Sequence, residues 1–111
     1  MTIRQSYTAV VERNRECSGS FASEPYECGW ASEAILFVRK LGQPADCAGQ
    51  QLRVQISPDG MRWCDEGSTL TLSQAEVDFV RVRHFGNWLR LAGDWPAEVS
   101  CRLLIALALK E

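Results

Sequence analysis

A single histidine, His84, is all the imidazole this 111-residue chain carries, and that scarcity narrows its chemistry. Any histidine general base would have to be this one. No G-x-S-x-G elbow and no nucleophile motif accompanies it, so a structural or surface role is expected. Gly-rich phosphate loops are missing, both G-x-G-x-x-G and the P-loop. No two cysteines stand at C-x-x-C spacing. The 14 acidic residues offer carboxylate pairs in any fold, so glycosidase chemistry has no specific signature. The chain is expected to be non-enzymatic, with no catalytic residue, no cofactor and no metal. Calcium would be sought at Asp59, Asp65 and Glu66, where solvated turn acids are the simpler reading.

Long apolar runs are also lacking. The longest without charge, "LLIALAL" from Leu103 to Leu109, has 7 residues against the roughly 20 of a spanning helix. The start "MTIRQSYTAVVERNRE" shows no apolar stretch behind a basic opening. The expectation is a cytoplasmic chain, free or incorporated into a particle, with no membrane partner. A positive field is missing too: 12 basic residues face 14 acidic ones for a net charge of −2, which excludes nucleic acid as an expected partner. The five cysteines, Cys17, Cys28, Cys47, Cys64 and Cys101, are odd in number and suit free thiols in a reducing compartment, with one disulfide as the alternative. Length alone predicts one domain over residues 1–111.

What is present is punctuation. "NRECSGS", "LGQPADCAGQ", "SPDG", "DEGS", "HFGN" and "AGDWPAE" break the chain into runs of strand length. Strands are expected over Tyr7 to Arg13, near Tyr26 to Trp30, over Glu33 to Lys40, Gln51 to Ser57, Ser68 to Leu72, Val77 to His84, Trp88 to Leu91 and Val99 to Lys110. "EAILFVRK" is apolar on both faces and suits a central strand. In "QLRVQIS", Leu52, Val54 and Ile56 oppose Arg53, Gln55 and Ser57. "SPDG" is a type I turn signature, with Trp63 closing the core beneath it, and "FGN" suits a tight hairpin between its flanking strands. The last run is rich in Leu and Ala, which favour helix, but its unbroken period of two argues strand.

This pattern predicts an all-β fold: about eight strands in a two-sheet antiparallel β-sandwich of jelly-roll or Greek-key type. The expected core is Leu36, Val38, Leu52, Val54, Ile56, Trp63, Val80, Val82, Leu89, Leu91, Leu103, Ile105 and Leu107. Phe79, Arg81 and Arg83 share one face of their strand, and Trp88 shares a face with Arg90. A hairpin would bring these five onto one surface, with Arg53 as a further candidate. The plainer reading is a solvated face on which arginine stems cover apolar area. The sharper one is a contact surface of residues enriched at interfaces. Tyr26, Trp30 and Trp95, expected at exposed loop ends, are candidates for stacking on a glycan.

"VQISPDGMRWCDEG" followed by "VDFVRVRHFGNWLRL" resembles the strand, S-x-D-G, x-x-W, strand pattern of discoidin-like galactose-binding sandwiches. It is equally similar to small β-sandwich modules of bacterial and phage particle proteins. The likeness spans about residues 51 to 91. It implies a sandwich fold. The lack of a catalytic constellation and of an export signal, with strand edges and an Arg/aromatic face that want a partner, leads us to expect a non-enzymatic role: a structural or assembly subunit, or a decorating piece of a phage-like particle, whose partner is another copy of itself or another structural protein. The alternative it implies is a carbohydrate-binding module.

Overall fold

Alternation of apolar and polar side chains runs through residues 6–111, the part that the computed structural model describes, and yields nine strands and no α-helix among them. They are β1 (Ser6–Ser18), β2 (Ser20–Ala22), β3 (Tyr26–Glu27), β4 (Glu33–Lys40), β5 (Gln51–Ser57), β6 (Cys64–Thr71), β7 (Val77–Arg83), β8 (Trp88–Asp94) and β9 (Ser100–Lys110). One short 3-10 turn covers Pro44–Cys47. Sheet A has the order β1-β9-β4-β7, and sheet B has β2-β8-β5-β6 with β3 also on β8. All pairings are antiparallel. Successive strands pass back and forth between the sheets, and among the described residues only β5 and β6 form a hairpin. That winding is a jelly roll.

β2 and β3 are one edge strand broken in the middle. Ala22 pairs with Ala92 and Tyr26 with Leu89. Between them the buried Ser23 donates its backbone N–H to Leu91 O (2.7 Å) and accepts the Leu91 N–H on its hydroxyl (2.9 Å). Counted as one strand, the pair restores the eight that the punctuation predicts. β9 is a strand because it is paired on both sides, by β1 and β4; two ladders override the local helix preference of Leu and Ala.

The expected hairpin across "FGN" does not form. β7 belongs to sheet A and β8 to sheet B, so the segment between them crosses the end of the sandwich. His84 (φ 53) and Gly86 (φ 75) take left-handed conformations there, and Phe85 between them is buried in the core. "DEG" is likewise not a turn. It lies inside β6, where the ladder to β5 shifts register and Gly67 adopts φ 114. The strand expected over Tyr26 to Trp30 ends at Glu27, and Gly29 and Trp30 form a turn.

The two sheets close on one apolar core. Leu36, Val38, Leu52, Val54, Val82, Leu89, Leu91, Leu103, Ile105 and Leu107 are buried as expected, and Ile56 and Val80 pack against them half-buried. Trp63 is a correction. The β5–β6 ladder pairs Ile56 with Cys64, so Trp63 falls beside Ser57 on the outward side of sheet B. Trp95 corrects in the opposite sense: it is only 5% exposed. β8 runs on to Asp94, and Trp95 folds in against Phe21, edge to face at 4.8 Å, with its indole N–H donating to Gln51 O at 3.0 Å. Gly93 makes room, since a Cβ there would stand 2.9 Å from the Phe21 ring.

Candidate interaction surfaces

The jelly roll separates residues that a hairpin would have joined. Phe79, Arg81 and Arg83 lie on β7 in sheet A; Trp88, Arg90 and Arg53 lie in sheet B. They occupy the two outer faces of the sandwich. The structure therefore offers two candidate surfaces with different chemistry.

Sheet B's outer face is polar and internally satisfied. Arg53 donates to Asp94 (2.6 Å) and Asp65 (3.2 Å), and Ser20 to Asp94 (2.8 Å). Gln55 bridges Asp65 (2.9 Å) and Arg90 (2.8 Å). The Arg90 guanidinium lies 4.2 Å from the Trp63 ring centre, and Trp88 packs over Gly60. The hydrogen bond to Asp94 is the largest effect holding the Arg53 pKa above its ordinary value. Ser20, then Arg53, hold Asp94 below its own. At the end of this sheet the Ser57 hydroxyl accepts the Gly60 N–H (2.8 Å). The Arg62 and Met61 N–H groups, each 2.9 Å from Asp59, lower that carboxyl to about 2. Of the acids at which calcium would be sought, Asp59 and Asp65 are engaged by their own neighbours, and among the described residues no three candidate ligands cluster.

Sheet A's outer face is predominantly apolar, with Arg81 in its first row and Arg39, paired to Glu76 at 2.8 Å, in its third. Residues opposite one another in a ladder share a face, and the registers give three rows across it. Thr8, Ala108, Ile35 and Arg81 form one; Val10, Ala106, Phe37 and Phe79 the next; Leu104, Arg39 and Val77 the third. Val10, Val77 and Phe79 are 47%, 45% and 47% exposed. Phe37 and Phe79 touch at 6.1 Å, and Arg81 lies 5.1 Å over the Phe79 ring. Beyond the first row, Lys110, Glu33 and Arg83 align as a charged border. Beside it lies a groove of ≈ 160 Å³ lined by Glu33, Ile35, Arg81, Arg83, Ala108 and Lys110. Of the eleven residues in these rows sequence reasoning named only Phe79 and Arg81; the omissions on β4 and β9 include Ile35, Phe37, Leu104, Ala106 and Ala108. Their signal was the second apolar face of "EAILFVRK" and of the last strand.

The loop-end aromatics divide. Trp30 is exposed. Tyr26 is half-buried and stacks on Tyr7 at 6.4 Å. Trp95 is in the core and presents nothing to a ligand. His84 is exposed at the crossing turn.

No family model matches the chain, and no curated protein matches it. Solved structures do share the fold. The SPBc2 prophage-derived protein YomS superposes with a TM-score of 0.68 at 7% identity, over 100% of this chain and 97% of that one. The PBSX exported protein XepA gives 0.65 at 6%, over 93% of this chain and 36% of XepA. A subunit of the disulfide-linked pili of Bacillus endospore appendages gives 0.54 at 7%, over 97% and 85%. The resemblance to sandwich modules of phage-derived proteins thus holds at the level of fold.

Proposed function

We propose that the chain is a non-enzymatic assembly subunit that docks on a neighbour through the outer face of sheet A. The observation that carries this reading is the contrast between the two faces. Sheet B covers itself with ion pairs and amide hydrogen bonds. Sheet A leaves Val10, Val77 and Phe79 open in adjoining rows, a contiguous apolar surface of the kind that marks interaction sites. Of the residues expected at an interface, Phe79, Arg81 and Arg83 stand on this face. Trp88 and Arg90 stand on the other, inside a network with its own partners. The shared fold with a prophage-derived protein and a pilus subunit supports the reading.

Gradient fractionation of native source material tests it. The chain should migrate above its monomer mass of 12.5 kDa, and a Phe79→Glu chain expressed in its place should fall to the monomer fractions. Wild-type chain recovered at monomer mass would remove the proposal.

A further inference from the structure

Resting on that assembly reading, we infer that the partner on sheet A is a second copy of this chain, related by a two-fold axis running along the strands between β4 and β9. Two identical faces meet through a two-fold only if the axis lies in the plane between them. An axis along the strands sets β4 over the partner's β9 and β1 over the partner's β7. The registers then become a list of reciprocal contacts. Phe37 stands over Ala106 of the other copy, Ile35 over Ala108, and Val10 against Phe79. Large residues meet small ones in the rows of Ile35 and Phe37, while in the third row Arg39 lies over Leu104. Glu33 meets Lys110, twice, at the border. The groove beside Ala108 receives the other copy's Ile35. An axis across the strands would instead stack Phe37 on Ile35, which joins bulk to bulk at the centre of the face. Aligned sheets cross at about 30° and pack about 10 Å apart, so the central rows stay matched.

The size of the face suits a reversible dimer. Four strands about 4.8 Å apart and seven residues of about 3.3 Å each span roughly 19 by 23 Å. With side-chain relief this comes to several hundred Å² per copy, at the lower end of specific interfaces. A dissociation constant on the order of 10 µM is expected.

Sedimentation equilibrium of the purified chain tests the arrangement by charge exchange. Glu33→Lys produces a chain with lysine at both border positions, and Lys110→Glu one with glutamate at both. Each alone should dimerise at least about tenfold more weakly than wild type, since like charges then meet across the axis. An equimolar mixture should return to near wild-type affinity as a heterodimer, because each lysine then faces a glutamate. Both positions are outside the core, and a circular dichroism spectrum matching wild type confirms the fold of each. A mixture no tighter than either variant alone overturns the inference. So does a wild-type chain that stays monomeric up to about 200 µM, well above that constant. If the pure chain is monomeric but native material is large and Phe79→Glu dissolves it, the self-pairing is wrong and the assembly face stands. If Phe79→Glu changes neither, both are wrong.

Discussion

At the residue scale, burial sorts the cysteines. Cys17, Cys28, Cys47 and Cys101 are in the core and Cys64 is exposed. Burial raises the Cys17 thiol to about 11 and the Cys28 and Cys47 thiols to about 12, which leaves almost no thiolate at neutral pH. Mass spectrometry after brief maleimide treatment at pH 7.5, within the ordinary range for thiol labelling, should find one modified residue, Cys64, on the native chain and five after denaturation. A second residue-scale feature is the Lys40–Asp78 pair. The Lys40 side chain is 0% exposed; its ammonium donates to Asp78 and, at 2.7 Å, to Ala75 O. Burial pushes the Asp78 carboxyl up, but hydrogen bonds from Lys40 and Ser73 outweigh it and hold the group below its ordinary range. A carboxyl depressed on folding adds stability above its unfolded pKa and loses it as pH falls through the folded value. Acid should therefore destabilise wild type, and Asp78→Asn should flatten that limb of the urea-denaturation profile. Lys40→Ala, which strips Asp78 of its cation, should cost about 3 kcal/mol.

At the element scale, the broken edge strand rests on one hydroxyl. Ser23→Ala removes the acceptor of the Leu91 N–H while leaving the backbone bond to Leu91 O. A loss of about 1 to 2 kcal/mol in chemical denaturation is expected, with faster amide exchange at Leu91 than at its neighbours in β8. Much of the element level was legible in the sequence. The alternation of "QLRVQIS" and of the last strand placed Leu52, Val54, Leu103, Ile105 and Leu107 in the core, because period two is a local property that needs no knowledge of neighbours; it gave no hint of Cys28, Cys47 or Phe85, which are buried from connecting segments. The failures were non-local. "FGN" satisfies the chemistry of a hairpin turn and serves instead to cross from one sheet to the other, a choice made by the winding of the whole chain. Trp95 follows a turn-like "GD" and looks like a loop tip; it is buried because Phe21, distant in sequence, packs against it where Gly93 leaves room. Trp63 went the other way: Cys64 pairs with the inward-facing Ile56, so the residue before it takes the outward face, and that pairing is not a local property of the sequence.

At the scale of the whole molecule, the two outer faces diverge. Sheet B's face was partly legible, because Arg53, Arg90 and the turn acids are evident as charges, although their mutual pairing is not. Sheet A's face was present as the second apolar stripe of β4 and β9, but the apparent hairpin drew its arginines toward the wrong neighbours. Both faces could not be read until the strand order was known. One face closes on itself and the other stays open, and the assembly reading depends on that difference. Hydroxyl-radical footprinting of the native material, compared with dilute purified chain, tests it most directly. Oxidation of Phe37 and Phe79 should fall several-fold in the native material while that of Trp63 and Trp88 stays unchanged. Protection of Trp63 and Trp88 with Phe37 and Phe79 still reactive would contradict the account.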